Sequence, residues 1–115
     1  TNQSGVARGF YSEEDIKRLH NEINSQLKMI NCKIHDFFYC PYHPRYGNKK
    51  YKKNSYLRKP NPGMILKAVK KWNIDLSKSL MIGDKKIDKI AARRSNLRFT
   101  KKKYNLLREV KKLIK

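Results

Sequence analysis

The stretch Leu80-Met81-Ile82-Gly83-Asp84-Lys85-Lys86-Ile87-Asp88 constrains the fold of this chain more than any other. A short apolar strand runs into Gly83-Asp84, and a helix with a second carboxylate one turn on follows at once. A strand end that points an acid at the mouth of an α/β sheet is where metal and phosphate chemistry gathers. The plainer alternative has Gly83 making a turn and Asp84 capping the next helix, which Asp does routinely. The local pattern leaves both readings open.

The rest of the chain supplies the frame. Ser12 reads as a helix N-cap with Glu13, Glu14 and Asp15 in the first turn and Asp15 in the capping-box position. Ile16, Leu19, Ile23, Leu27 and Ile30 then recur as a helical stripe, which Asn31 and Lys33 break. Residues Ile34 to Cys40 are rich in strand formers and predict a strand. From Pro41 to Lys59 no periodicity survives. That segment holds seven basic residues and no acid, and a loop of such length inside a small domain is functional or disordered. Pro60-Asn61-Pro62-Gly63 opens a helix at about Pro62, whose buried face is expected to hold Ile65, Leu66, Val69 and Trp72. A strand over 79–82, a helix over 85–94 and a brief strand over 97–100 follow. The closing helix carries Leu106, Leu107, Val110, Leu113 and Ile114. Strands alternating with helices predict an α/β fold with a parallel sheet, and the chain contains no internal repeat.

With 115 residues the chain is one domain at most. It has no apolar run long enough to span a bilayer and no signal-peptide pattern at its start, so no membrane partner is expected. Its first residue is Thr1, and Thr1 to Gly5 reads as a loop leaving a strand, so the chain is expected to be a fragment cut on its N-terminal side. The formal charge of +20 fits nucleic-acid binding in principle. The charge is spread along most of the sequence, however, Lys far outnumbers Arg, and Asn is abundant. A compositional drift toward Lys and Asn accounts for this best, with attraction of anionic ligands as a by-product. Two cysteines, Cys32 and Cys40, make no disulfide framework and fit a reducing compartment.

Three polar sites lie at strand or loop ends: Thr1-Asn2-Gln3-Ser4, Arg58-Lys59-Pro60, and Gly83-Asp84-Lys85 with Asp88. A hydroxyl with backbone amides, a cationic pair and a carboxylate are the inventory of phosphoryl transfer. Donors hold the equatorial oxygens, cations offset their charge, and a carboxylate anchors Mg²⁺. The segments TNQSGVARGFYSEED, YCPYHP, RKPNPGM and MIGDKKID resemble the haloacid dehalogenase-like phosphatases, in particular the D-glycero-D-manno-heptose 1,7-bisphosphate 7-phosphatase family. The resemblance runs from Thr1 to about Ala92. It implies a Rossmann-like three-layer fold with a parallel sheet, N-terminally truncated here. Residues 1–115 would be the C-terminal part of one phosphatase domain, with 41–59 as the substrate loop and 101–115 as a basic C-terminal helix.

The resemblance also implies roles. Thr1, with Asn2, Gln3, Ser4 and neighbouring amides, would bind the phosphoryl oxygens. Lys59 would neutralise the phosphoryl group and Arg58 would contribute to substrate recognition. Asp84 would hold Mg²⁺, Lys85 would lie beside it near the phosphate, and Asp88 would brace the site from behind. The plain alternatives are a solvated loop lysine for Lys59 and an ordinary exposed helix acid for Asp88. His20, near its helix stripe, and His35, in the expected strand, read as structural.

The sequence departs from the family in two ways. The family's nucleophilic aspartate and its acid/base aspartate would sit on a strand upstream of Thr1. The chain holds no candidate for the carboxylate that forms an aspartyl-phosphate, so by itself it is expected to be inactive and poorly folded. A cooperative unfolding transition or magnesium-dependent turnover would overturn this. Many relatives also carry a zinc loop of the form Cys-x-His followed by Cys-x-Cys. Here Cys40 remains, Tyr42 stands at the His position, Ser55 and Leu57 stand at the later cysteines, and His43 is one place off. A structural zinc needs four Cys/His ligands, so none is expected, and Lys and Tyr packing would shape the loop instead.

The leading expectation is therefore a cytoplasmic, monomeric, Mg²⁺-dependent phosphatase. It would remove the 7-phosphate of the heptose bisphosphate on the route to nucleotide-activated heptose for bacterial lipopolysaccharide. Histidinol-phosphate phosphatase differs only in substrate. A small basic nucleic-acid-binding protein, with Tyr39, Tyr42, Tyr46, Tyr51 and Tyr56 as stacking platforms among lysines, leaves Thr1, Lys59 and Asp84 unexplained.

Overall fold

A computed structural model of the chain describes residues 1–103 and 105–113. Ile114, placed by sequence on the closing helix, lies outside them. Two compact units divide the chain, Thr1–Arg58 and Lys59–Lys115.

The first unit is built on helix α1, Glu13–Lys28. Its start is fixed by a reciprocal cap: Asp15 N–H donates to Ser12 Oγ at 3.1 Å, and Ser12 N–H donates to Asp15 Oδ2 at 2.8 Å. Three acids in the first turn complement the helix dipole. The apolar stripe is narrower than expected. Ile16 is buried and Ile23 and Leu27 are half-buried, but Leu19 is exposed. Ile30 lies beyond the helix end, where Asn31 turns the chain at φ 56°.

The expected strand at residues 34–40 is not formed as a strand; only Cys40 makes a bridge, parallel to Asn2. Thr1 N donates to Phe38 O at 2.7 Å, Cys40 N to Thr1 O at 3.0 Å, and Gln3 N to Cys40 O at 2.8 Å. Further back, Ile34 is held at both backbone polar atoms by the Asn24 side chain, at 2.8 and 3.0 Å. Strand formation needs a partner along the whole segment, and backbone pairing with Thr1–Gln3 reaches only Phe38 and Cys40. Between Ser4 and Phe10 the chain coils through successive turns that bury Val6 and Ala7. At Gly5 an added Cβ would lie 2.3 Å from the Tyr11 ring, so a side chain there would displace that ring.

The loop from Pro41 onward is ordered by its own aromatics. His43 and Lys52 form a parallel bridge, with His43 N donating to Tyr51 O at 3.1 Å and Lys53 N to His43 O at 3.0 Å. Lys53 lies over the Tyr42 ring at 3.9 Å and Arg8 over the Tyr46 ring at 4.0 Å, both within cation–π range.

The second unit opens with helix α2, Gly63–Trp72, capped by Pro62. Its buried side centres on Met64, with Ile65, Ala68 and Val69 half-buried. Leu66 is 38% exposed and Trp72 48% exposed, against expectation. Six of the ten residues are apolar, Met64, Ile65, Leu66, Ala68, Val69 and Trp72; a stripe that wide does not reveal its own centre. After a 3₁₀ turn at Leu76–Lys78 come β1 (Leu80–Gly83), α3 (Lys86–Arg94) and β2 (Arg98–Lys101). The two strands pair in parallel, Leu80 with Arg98 through Gly83 with Lys101, and α3 packs on both. Asp88, Ala91, Ala92 and Ser95 are the buried residues at helical spacing on this side of α3. Two small alanines let the helix approach the strands closely, and a carboxylate takes the first position. Helix α4, Leu106–Leu113, closes the described chain with Leu107 exposed.

Candidate active site

The β1–α3 turn decides between the two readings of Asp84. The N-cap of α3 is Lys85, and the side chain that accepts from the helix start belongs to Asp88. Asp88 Oδ2 accepts from Lys85 N at 3.0 Å and from Asp84 N at 3.2 Å. Asp84 does not cap the helix. Its carboxylate is exposed and takes no hydrogen bond or ion pair among the described residues.

Asp88 is no ordinary exposed helix acid: it is 3% exposed. Its Oδ1 accepts from Lys59 Nζ in an ion pair with little access to solvent on either side. Burial pushes the Asp88 carboxyl up. The Lys59 hydrogen bond, the Lys85 N–H, the Lys59 charge and the Asp84 N–H together outweigh it and hold the group below its usual range. Gly83 makes this possible: a Cβ there would lie 2.6 Å from Asp88 Cβ and 2.7 Å from Oδ2. One carboxylate thus fixes the Lys59 ammonium, the Asp84-Lys85 turn and the start of α3. Both oxygens of Asp88 are occupied, whereas Asp84 presents a hard oxygen donor to solvent, the type Mg²⁺ prefers.

Thr1, Asn2, Gln3, Ser4 and Arg58 belong to the first unit. Gln3 Nε2 donates to Thr1 Oγ1 at 3.2 Å, and the Tyr11 hydroxyl donates to Gln3 Oε1. Gln3 N–H is already spent on Cys40 O, so Gln3 braces Thr1 with its side chain. Ser4 opens the turn, its carbonyl accepting from Arg8 N at 3.0 Å. Arg58 Nη1 is buried without a hydrogen-bond partner. An unsatisfied buried donor is costly to a fold, and on a guanidinium it calls for an anion.

The loop that carries zinc ligands in many relatives has other anchors here. Glu13 accepts from the Tyr39 hydroxyl at Oε1 and from the Tyr51 hydroxyl at Oε2, each at 2.8 Å. These bonds hold the Glu13 carboxyl below its ordinary range, while burial and then Glu13 push Tyr39 up to about 12. Cys40 is buried with Sγ 4.0 Å from Tyr42 O, His43 Nδ1 accepts from Arg45 N, and Ser55 Oγ accepts from Leu57 N. No group of three or more His, Cys, Asp or Glu that could hold a metal ion occurs among the described residues. His20 stacks on Phe37 with centroids 4.0 Å apart. Sequence reasoning missed Glu13, Tyr39, Tyr51 and Tyr11 as organisers of this unit. Glu13 read only as a first-turn acid, and the tyrosines that reach it lie 26 and 38 residues away.

Residues 31–101 match the family described as haloacid dehalogenase-like hydrolase. The chain belongs to that family. It is 44% identical over 76% of its length to a D-glycero-alpha-D-manno-heptose-1,7-bisphosphate 7-phosphatase of Burkholderia mallei, covering 47% of that protein. A D-glycero-beta-D-manno-heptose-1,7-bisphosphate 7-phosphatase of Rhodopseudomonas palustris is 40% identical over 84% of the chain and 54% of its own length. Among solved structures, one from Mesorhizobium loti described as a HAD-like phosphatase matches with TM-score 0.78 and 33% identity, over 84% of this chain and 46% of that one. The D,D-heptose 1,7-bisphosphate phosphatase of B. bronchiseptica, complexed with magnesium and phosphate, matches with TM-score 0.75 and 27% identity, over 86% and 51%. The fold is therefore the α/β fold of the HAD-like phosphatases, and the chain spans about half the length of the relatives it matches.

Proposed function

We propose that residues 1–115 are the C-terminal part of a single phosphatase domain, with 41–59 as substrate loop and 101–115 as a basic closing segment. The complete protein would hydrolyse the 7-phosphate of D-glycero-D-manno-heptose 1,7-bisphosphate, in the cytoplasm, for nucleotide-heptose and lipopolysaccharide synthesis. The named relatives support the substrate. The observation that carries the chemistry is the Lys59 ammonium held by a buried Asp88 beside the Asp84 turn.

In this reading Lys59 offsets charge on the phosphoryl oxygens, and Asp88 keeps its ammonium aimed. Thr1, steadied by Gln3 and Tyr11, donates its hydroxyl to a phosphoryl oxygen together with Asn2, Ser4 and their amides. The buried, unpaired Arg58 nitrogen takes an anionic part of the substrate, and Lys85 lies beside the phosphate. Asp84 would hold Mg²⁺, which neutralises charge on the phosphoryl oxygens when bound. The attacking carboxylate, which forms the aspartyl-phosphate, would come from a segment outside residues 1–115.

The stacking-platform reading gains nothing from the structure. Tyr42, Tyr46 and Tyr51 have cations on their rings, and Tyr39 and Tyr51 spend their hydroxyls on Glu13. Phosphate release by the full-length gene product from the heptose bisphosphate and from histidinol phosphate separates the two substrates. Lys59→Ala should lower kcat by roughly 10²–10³-fold. Turnover of neither substrate, or undiminished turnover in Lys59→Ala and Asp84→Asn, defeats the proposal.

A further inference from the structure

Glu13 stands on the first turn of α1, where an acid ordinarily serves the helix dipole. The cap is closed by Ser12 and Asp15, so the start of the helix does not need the Glu13 side chain. That side chain turns to two phenols instead. Its Oε1 accepts from the Tyr39 hydroxyl and its Oε2 from the Tyr51 hydroxyl, each at 2.8 Å. Both oxygens of a half-buried carboxylate are thereby committed to residues on either side of the loop tip. Hydrogen bonds to an ionised acceptor are about twice as strong as neutral ones, so the pair restrains the chain between Tyr39 and Tyr51.

The restraint reaches the cations of the loop. Lys50 lies over the Tyr51 ring at 5.2 Å, and Tyr42 meets that ring with centroids 6.3 Å apart. Lys53 in turn lies over the Tyr42 ring at 3.9 Å. The main chain closes the same circuit: Asn48 O accepts from Tyr51 N at 3.1 Å and from Lys52 N at 2.8 Å. Lys50 and Lys53 are exposed, yet each is seated on a ring whose own place depends on Glu13. A lysine free in solvent loses rotamer entropy when a ligand orders it, and seating it beforehand removes part of that cost.

We propose that Glu13 is a positioning residue for this loop, acting through Tyr39 and Tyr51 to seat Lys50 and Lys53 for an anionic substrate. The inference rests on the reading of 41–59 as the substrate loop. Glu13 itself need not touch the substrate.

The full-length gene product carries the test in two readouts. The first is native-state tryptic cleavage after Lys52 and Lys53, resolved by mass spectrometry and divided by cleavage after Lys70 on α2. The second is KM and kcat for D-glycero-D-manno-heptose 1,7-bisphosphate. Glu13→Ala should raise the cleavage ratio roughly tenfold, as the loss of hydrogen bonds to a charged group predicts. It should raise KM roughly three- to tenfold and leave kcat within about twofold, a split that a merely structural role would not produce. Glu13→Gln keeps one acceptor and should fall between Glu13→Ala and wild type. Glu14→Ala removes an equal charge from the same helix turn and should change neither readout. Tyr51→Phe deletes one hydroxyl and keeps the ring, so it should move both readouts in the same direction by less, and it decides the matter if Glu13→Ala does not fold. Wild-type turnover together with an unchanged cleavage ratio or an unchanged KM in these variants overturns the inference alone. Absence of turnover in the wild type takes it down together with the phosphatase reading.

Discussion

Replacing Lys59 by Met keeps the aliphatic stem and deletes the ammonium from its pair with Asp88. The Asp88 carboxylate then remains, 3% exposed, with its charge uncompensated. Removing one partner of a buried pair costs about 3–5 kcal/mol. Here two backbone donors, at 3.0 and 3.2 Å, still hold Oδ2, and charge-assisted bonds of that kind are each worth about 1.5–3 kcal/mol. The expected loss is therefore at or just below the low end of that range, about 2–3 kcal/mol. Asp88→Asn should cost less, about 1–2 kcal/mol, because an amide oxygen still accepts from one N–H and the Lys59 side chain can turn to solvent. The double variant should be clearly less destabilised than the two losses added together. Urea unfolding of the full-length gene product, followed by far-ultraviolet circular dichroism, supplies the four free energies.

The same pair leaves a signature in acid. Asp88 is held below its usual range, so its stabilisation is complete above the unfolded carboxylate value and is lost as pH falls through the lower folded one. In Lys59→Met the Asp88 carboxyl loses its strongest lowering influence, so the acid limb should begin at higher pH. A loss below about 0.5 kcal/mol, additive single variants and an unchanged acid limb would together refute the reasoning.

Three further outcomes are expected. Gly83→Ala should cost about 2–3 kcal/mol and loosen the Lys59–Asp88 pair, since the new methyl would lie 2.6 Å from Asp88 Cβ; a melting curve matching wild type would contradict this. Tyr39, raised from 10.0 to about 12, contributes stability that is complete below pH 10 and lost as pH rises towards 12. Tyr39→Phe should therefore flatten the alkaline limb of a pH-dependent melting series, and an unaltered limb would remove Tyr39 as its source. Replacing Lys49, Lys50, Lys52 and Lys53 with Ser should raise KM for the bisphosphate several-fold with kcat nearly kept; an unchanged KM detaches the loop from substrate binding.

What was legible in the sequence was local. The Ser12–Asp15 capping box, the β1–α3 turn and the helix into a second strand are set by residues within a few positions of one another, and the structure forms them within a residue or two of the expected bounds. What escaped depends on distant partners. Ile34 to Tyr39 have strand formers but no ladder, because Asn24 and Thr1 take their backbone groups in other ways. The α2 face was misplaced because its apolar arc also takes in Met64 and Ala68, and these are covered where Leu66 and Trp72 are exposed. At the site, Asp84 and Lys59 were named from their motifs. That Asp88 caps α3 and leaves Asp84 exposed follows only from side-chain geometry, including a Lys59 contact across 29 residues.

The carboxylate shared by Tyr39 and Tyr51 gives the loop a different dependence on its surroundings from a metal-clamped one. A thiolate cage takes its shape from the supply of metal and from the redox state of its sulfurs. Two phenol hydroxyls bonded to Glu13 depend on neither. The loop is thereby clamped by proton-bearing groups, and Tyr39, pushed up to about 12, keeps its donor proton through the ordinary pH range.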